Sequence, residues 1–192
     1  MDWISLIIQE NFMKTIYILL TRSDTFLSKL VQLFTADPYT HASISFDECL
    51  QPLYSSARKN GETMFPAGPT TEVFHRGFYH KHQDIPCALY ELSVPDEVYE
   101  IARREAQQFA RDSDLYSFNI LGLILCKLGI PFHPKYKYFC SQFVAEILCR
   151  SQALELPKDS SLMKPMDYTR LPELRCEYQG ILRDLVRARA LI

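Results

Sequence analysis

The chain has 192 residues, of which 47% are hydrophobic and 23% are charged, and this composition is typical of a folded globular domain. Its 21 basic and 23 acidic residues give a formal net charge of -2 and are mixed along the chain without a basic block. A nucleic-acid partner is therefore not expected, because phosphate binding needs clustered positive charge. We expect a single domain over residues 13–192, preceded by an extension at residues 1–12 of doubtful relevance to the fold.

The cysteines and the N-terminus indicate where the protein resides. The six cysteines are scattered and form no CxxC pair, and a chain of this length does not need a disulfide framework. The first residues are apolar but have neither a basic region nor a small-residue cleavage site, so they do not read as a secretory signal. Both observations predict a cytoplasmic protein with reduced thiols.

The first predicted elements are a strand and a helix. A β-branched and aromatic run at residues 15–22 predicts a buried strand. A helix is expected to follow, capped by Ser23 or Asp24, because apolar residues recur at helical spacing over residues 26–34.

Residues 41–47 alternate between polar and apolar side chains, which predicts a second strand with two unlike faces. The apolar set is expected to pack on the core. His41 then shares its face with Ser43 and Ser45, and their small size predicts open space above the imidazole.

Further strands are predicted at residues 49–59 and 87–94. The long segment between them, residues 60–86, is rich in Gly and Pro and contains a possible short strand near residues 70–78. Long segments in compact domains are often functional, so we expect this one to shape a substrate cleft. Pro95 then opens an amphipathic helix.

The longest apolar stretch covers residues 118–130 and predicts a helix that ends at Gly129 and Pro131. It is shorter than the about 20 residues that span a bilayer, and Lys127 interrupts it. We expect a buried core helix here, and a helix lying on a membrane surface is the alternative. The tail is expected to form one short helical turn and a closing strand.

Cys140 directly precedes a segment with clear helical periodicity, residues 141–150. Unpaired backbone N–H groups and the helix dipole favour a thiolate at this end of a helix, and the same N–H groups can bind an oxyanion. Cys149 falls at the far end, where the dipole raises a thiol pKa. Cys140 is therefore the candidate nucleophile, and its alternative interpretation is a small buried hydrophobic residue.

His41 is the candidate general base, although it can also be a hydrogen-bonded core histidine. A base needs a partner that holds its tautomer, and Ser55, Ser56 and Glu72 are the candidates. Three residues near the cysteine could support an oxyanion. They are Tyr136 and Tyr138 through their phenols, and Ser141.

No cofactor and no metal are indicated. His80 and His82 would share one face of a strand, but Asp84 is the one obvious further ligand, and a metal site needs more. The chain contains no GxGxxG, GxxxxGK or GxSxG motif, so nucleotide binding and serine-hydrolase chemistry have no support.

The segments THASISFD around His41 and YFCSQFVAEIL around Cys140 resemble the circularly permuted branch of the NlpC-type, papain-like cysteine hydrolases. The likeness is greatest to the YiiX-like group, which is distantly related to lecithin–retinol acyltransferase-like enzymes. In that branch the histidine strand precedes the cysteine helix, as it does here. The opening strand and helix also match, so the resemblance runs from about residue 13 to the end.

The resemblance implies an α+β, papain-like fold in which an antiparallel sheet packs against helices that include the cysteine helix. It also implies that Cys140 attacks an amide, ester or thioester carbonyl and that His41 acts as the base. The family's third polar residue usually lies on the strand after the histidine and is acidic or an amide. This chain has Ser55 and Ser56 in that region.

We therefore expect a cysteine-dependent hydrolase of the amidase, peptidase or thioesterase type that works through an acyl-enzyme. Its substrate would be a small molecule, a peptide or an acyl lipid. Two alternatives stay open: a lipid acyltransferase or acyl-amide hydrolase with an apolar groove near residues 118–130, and a non-catalytic binding protein that keeps the fold. Membrane association is possible but not indicated, and the sequence does not determine the oligomeric state.

Overall fold

A computed structural model describes residues 12–22, 37–59 and 66–190 of the chain. Within these residues the protein is α+β, with a six-stranded antiparallel sheet in the order β4-β3-β2-β1-β5-β8. The sheet strands are β1 (Met13–Thr21), β2 (His41–Ser45), β3 (Leu53–Arg58), β4 (Ala67–Glu72), β5 (Pro86–Pro95) and β8 (Arg175–Ile181). A small parallel pair consists of β6 (Ser117–Phe118) and β7 (Lys137–Tyr138). The helices are α1 (Gly77–Lys81), α2 (Asp96–Arg111), α3 (Ile120–Lys127), α4 (Cys140–Arg150) and α5 (Leu182–Arg189).

β1 lies inside the sheet, between β2 and β5, and both of its faces are buried. Ile16, Ile18 and Leu20 pack in one hydrophobic cluster, while Tyr17 and Leu19 pack in another. This explains the unbroken apolar run in its sequence, because a strand covered on both sides needs no polar face.

Helices α2 and α4 cover the first face of the sheet. Phe143, Val144, Ile147 and Leu148 of α4 are buried in the same cluster as Ile44 of β2, as the helical periodicity predicted. Tyr99, Ala102, Ala106 and Phe109 supply the buried face of α2. Burying four large side chains of one helix contributes about 1.5–3 kcal/mol each, which fixes α4 on the sheet.

The second face is also covered, and this corrects the expectation of open space above His41. Ser43 and Ser45 are fully buried, and the face holds a cluster that includes Tyr79 of α1 and Leu182 of α5. The sequence pattern missed this cover because short polar residues can be buried when they find acceptors. Ser45 Oγ donates to the Pro52 carbonyl at 3.0 Å.

The segment from 118 to 130 also differs from its prediction. The helix covers only Ile120–Lys127, because the Asn119 side chain caps it and the two preceding residues pair with β7. It is not a buried core helix, since Leu121, Ile124 and Leu128 are 54%, 40% and 65% exposed.

Other elements begin or end a few residues away from their predicted boundaries. The segment predicted as a short strand near residues 70–78 divides into the end of β4 and the start of α1. The predicted closing turn and strand are present as a 3₁₀ helix, Pro165–Arg170, and β8, and α5 follows them. The helix expected after Ser23 and the extension at residues 1–12 lie outside the described residues, apart from Phe12. In the part of the chain that is described, no helix has the length and apolar character to cross a membrane.

Candidate active site

Cys140 is the first residue of α4, so its thiol lies where the helix leaves backbone N–H groups without intrahelical acceptors. Two hydrogen bonds anchor this end of the helix from the C-terminal part of the chain. The Ser141 hydroxyl donates to the Met163 carbonyl at 2.7 Å, and the Tyr168 hydroxyl donates to the Ser141 carbonyl at 2.7 Å. Both hydroxyls belong to buried residues, so the position of Cys140 is held firmly.

His41 begins β2, and its side chain lies in hydrogen-bond contact with the Cys140 thiol. The other contact of the ring is to Glu72 at the end of β4, where His41 Nε2 and Glu72 Oε2 are 3.0 Å apart. Glu72 therefore occupies the Nε2 side of the ring. The cysteine, histidine and carboxylate thus form a continuous chain.

Of the three candidate partners of His41, Glu72 is the one that contacts the ring. Ser55 Oγ donates to the same carboxylate oxygen at 2.6 Å, so this serine supports Glu72 rather than His41 directly. Ser56, the next residue, projects to the opposite face of β3 and donates to the Tyr138 carbonyl at 2.6 Å. The acidic side chain that contacts His41 therefore comes from the end of β4 and not from β3.

The three side chains form a charged array. Burial lowers the pKa of His41, but the Glu72 carboxylate and the hydrogen bonds to Cys140 and Glu72 outweigh it and raise the pKa to about 10. Burial likewise raises the pKa of Glu72. The charge of His41 and the hydrogen bond from the Ser55 hydroxyl outweigh burial, so the pKa of Glu72 is lowered overall. The electrostatics favour an imidazolium bonded to a carboxylate.

The Cys140 thiol has a lowered pKa for related reasons. Burial raises the pKa of this thiol. The hydrogen bond and charge of His41 and the backbone N–H groups of Ala42 and Ser141 lower the pKa by more than burial raises it. Cys149, at the other end of the helix, has a raised pKa because of burial and the nearby carboxylates of Glu146 and Asp159. The pKa of a thiol is thus lowered at the N-terminal end of α4 and raised at its C-terminal end.

Backbone groups contact the sulfur in addition to the His41 ring. The N–H groups of Ala42 and Ser141 both contact Cys140, and its sulfur lies 4.0 Å from the Thr40 carbonyl oxygen. Of the three residues expected to support an oxyanion, Ser141 contacts the sulfur, through its main-chain N–H group.

Tyr136 and Tyr138 lie elsewhere. Their side chains line a separate cavity with Gln142, and the Tyr138 hydroxyl accepts a hydrogen bond from Arg150 Nη2 at 3.1 Å. Tyr136 has a positive φ of 62°, which re-aims the chain just before β7. Their expected role at the oxyanion is therefore corrected, because proximity in sequence to Cys140 does not determine the direction of a side chain.

A small apolar pocket adjoins Cys140. Its walls are side chains of α3 and of the segment around Met163, together with Phe139. Two lysines, Lys127 and Lys164, and one carboxylate, Asp37, also line it. An apolar pocket next to a reactive cysteine can hold the hydrophobic part of a substrate.

The two histidines considered as metal ligands, His80 and His82, do not lie together on a strand. His80 belongs to α1, and the His82 ring stacks on Phe78 with centroids 4.5 Å apart, so the two residues do not share a strand face. Within residues 12–22, 37–59 and 66–190, no group of three or more His, Cys, Asp or Glu side chains could hold a metal ion.

Sequence reasoning missed three contributors to the site: the Ala42 N–H, the Met163 carbonyl and the Tyr168 hydroxyl. Two of them are backbone groups, which leave no signal in side-chain identity. Tyr168 had only the weak signal of an aromatic residue in a polar turn. All three become visible when β2, α4 and the C-terminal segment meet.

Comparison with known proteins adds no assignment, since no protein-family model matches the chain and no curated protein matches it.

Proposed function

We propose that the protein is a cysteine-dependent hydrolase that acts on an amide, ester or thioester carbonyl through an acyl-enzyme on Cys140. The observation that supports this best is the contact series Cys140, His41, Glu72, in which one imidazole joins a thiol to a carboxylate. A histidine buried only for packing needs no acidic partner and would not be placed against a thiol at a helix N-terminus.

In the first step the Cys140 thiolate attacks the carbonyl carbon, and the C=O π electrons move to the oxygen. The backbone N–H groups next to the sulfur, of Ala42 and Ser141, are the donors available to the resulting oxyanion. His41, protonated while paired with Glu72, gives its proton to the leaving amine, alcohol or thiol. The carbonyl then re-forms as a thioester to Cys140.

In the second step His41 takes a proton from water as the water oxygen attacks the thioester carbon. The C–S bond breaks, the acid leaves, and Cys140 returns as a thiolate beside imidazolium. Glu72 keeps the ring orientation through both steps, and Ser55 holds Glu72. The order of the two motifs resembles that of the permuted NlpC-type, papain-like proteins, and the arrangement is consistent with their fold.

Detection of the acyl-enzyme tests this proposal. Intact-protein and peptide mass spectrometry after brief exposure to p-nitrophenyl acetate should place one acetyl group on Cys140 and release p-nitrophenol repeatedly. Cys140→Ala should abolish both signals, and His41→Ala should reduce turnover by at least about 100-fold, the usual contribution of a general base.

Cys149→Ala is the matched control, because it removes a thiol from the other end of the same helix, and it should turn over normally. If Cys140→Ala hydrolyses the ester as fast as the wild type does, the mechanism is wrong. If Cys140 is never acylated, the alternative of a binding protein that keeps the fold becomes the better description.

A further inference from the structure

The Tyr168 hydroxyl contacts two backbone groups of α4 that are partners in a regular helix. It donates to the Ser141 carbonyl at 2.7 Å, and the Ala145 N–H group contacts the same hydroxyl. In an α-helix the N–H of residue 145 donates to the carbonyl of residue 141. The phenol therefore takes part in the hydrogen-bond ladder of α4 directly after Cys140, and a side chain that enters such a ladder is a cause of local bending.

Tyr168 is fixed in this position because it is fully buried, in the same hydrophobic cluster as Phe143 and Val144 of α4. Burial first, and the nearby charge of Cys140 second, raise the pKa of Tyr168 well above its ordinary value. The phenol therefore keeps its proton at the pH values at which a thiolate enzyme works, and it remains a donor to the Ser141 carbonyl.

The 3₁₀ helix Pro165–Arg170, which carries this tyrosine, is itself held in place. At its start the Asp167 carboxylate accepts the Lys164 N–H at 2.6 Å. Just before it, the Met163 carbonyl accepts the Ser141 hydroxyl at 2.7 Å. The C-terminal part of the chain thus holds Ser141 at two points, through its side chain and through its carbonyl.

Ser141 is the residue through which Tyr168 acts on the thiol. The Ser141 N–H group contacts the Cys140 sulfur, whereas the Tyr168 hydroxyl contacts the backbone of Ser141 and Ala145. The direction of the Ser141 N–H follows from the backbone angles of this residue. Those angles are constrained while the Ser141 carbonyl is bonded to a buried hydroxyl that is itself fixed.

We propose that Tyr168 is a positioning residue for Cys140, whose hydroxyl holds the Ser141 backbone so that its N–H group serves the sulfur and the oxyanion. This inference rests on the proposed hydrolase function. Without the hydroxyl, the Ser141 carbonyl and the Ala145 N–H have each other as partners, so this turn of α4 closes into regular helix. The Ser141 N–H then moves relative to the reacting atoms.

Steady-state hydrolysis of p-nitrophenyl acetate by Tyr168→Phe tests the proposal. The variant keeps the ring and its packing, and the two backbone groups that it frees can pair, so it should fold as the wild type does. We expect kcat to fall at least about tenfold, because a misplacement of about 1 Å at a reacting group can cost about 100-fold. KM should change by less than about twofold, since the Ser141 N–H acts on the transition state.

The pH dependence of Cys140 alkylation by iodoacetamide gives a second readout that needs no turnover. A weaker contact from the Ser141 N–H stabilises the thiolate less, so the midpoint of the alkylation profile should move to higher pH in Tyr168→Phe. Two-dimensional NMR spectra should also show a changed amide signal for Ala145, because its acceptor changes from a phenol to a carbonyl. A role in stability alone would not move the alkylation profile.

Tyr99→Phe is the matched control. Tyr99 is also a buried tyrosine whose hydroxyl donates to a backbone carbonyl, but it lies on α2 and its acceptor is Phe46, next to β2. This variant loses the same atom and should keep the kcat and the alkylation profile of the wild type. Circular dichroism and urea unfolding show whether both variants are folded.

Two results would overturn the proposal. The first is a Tyr168→Phe variant with the kcat and the alkylation profile of the wild type. The second is an equal loss of kcat in both phenylalanine variants, because that would reflect general destabilisation. If the wild type never turns over the ester, the hydrolase proposal is wrong, and the alkylation profiles of Cys140 still decide whether Tyr168 positions the thiol.

Discussion

At the scale of single residues, the imidazole of His41 links the carboxylate of Glu72 to the thiol of Cys140. Glu72 at 3.0 Å from Nε2 favours the protonated ring, and the ring in turn favours the ionised sulfur of Cys140. Each pKa direction depends on the others, because the carboxylate raises the pKa of His41 and the imidazolium lowers the pKa of the thiol. Glu72 therefore governs the thiol without touching it.

This coupling predicts a pH dependence of thiol reactivity. A lowered pKa keeps Cys140 ionised at lower pH, so its alkylation by iodoacetamide should persist on acidification after alkylation of Cys149, whose pKa is raised, has stopped. In Glu72→Gln the pKa of His41 falls from about 10 and the pKa of Cys140 rises. At a pH below the pKa of Cys140, each unit by which this pKa rises lowers the thiolate fraction about tenfold.

Peptide mass spectrometry of alkylation rates across pH provides the measurement, with Cys149 as the internal control. Thr71→Ser, a mild change at the neighbouring position of β4, should leave the profile unchanged. A Glu72→Gln profile that matches the wild type would show that another group holds His41 protonated.

At the scale of elements, the start of α3 is tied to the cysteine helix by one asparagine. Asn119 Oδ1 accepts the Gly122 N–H at 2.9 Å as the helix cap, and its Nδ2 donates to Gln142 Oε1 at 3.2 Å. Asn119 and Gln142 are both 1% exposed, so losing these bonds would leave buried polar groups without partners. Glycine at position 122 allows this arrangement.

Gly122→Ala should destabilise the protein, although alanine is normally the better helix residue by about 1 kcal/mol. An added Cβ would lie 2.0 Å from Asn119 Nδ2, so the asparagine must leave both partners. Loss of a cap costs about 1 kcal/mol and an unsatisfied buried group about 1–3 kcal/mol, so a net loss of about 1–3 kcal/mol is expected in urea unfolding.

A double-mutant cycle provides the control for this prediction. In an Asn119→Ala background the clash is gone, so adding Gly122→Ala should be neutral or stabilising. If alanine at position 122 destabilises equally in both backgrounds, the asparagine is not the reason.

At the scale of the whole molecule, the sheet brings distant parts of the sequence to one place. His41 and Glu72 are 31 residues apart, and Cys140 follows far later in the chain, yet β2, β4 and α4 place them side by side. The central strand β1 supports this meeting point, because both of its faces are covered and it pairs along its length with β5.

This position predicts the pattern of amide hydrogen exchange. The N–H groups of Ile18 and Leu20 should be among the slowest to exchange, since both residues are fully buried in the central strand, while those of Leu121 and Ile124 in the exposed helix should exchange faster. Exchange followed by NMR provides the measurement. Faster exchange in β1 than in α3 would contradict the layered core described above.

Local patterns in the sequence were sufficient for β1, β2, β5, α2 and α4. Each has strong apolar periodicity or a β-branched run, and tertiary packing reinforced that preference. Short elements such as α1, and the two-residue strands β6 and β7, escaped because too few residues repeat to form a pattern. The boundary of α3 depended on a side-chain cap rather than on hydropathy.

The sequence by itself determined that Cys140 begins a helix and that His41 lies on a strand, because both follow from local periodicity. Only the tertiary structure decided which residue is the partner of the imidazole. Glu72 rather than Ser55 or Ser56 contacts it, since the end of β4 lies near β2 with β3 between the two strands. It also decided that α3 faces outward, because burial depends on which elements remain to cover a helix and not on the helix's own apolar content.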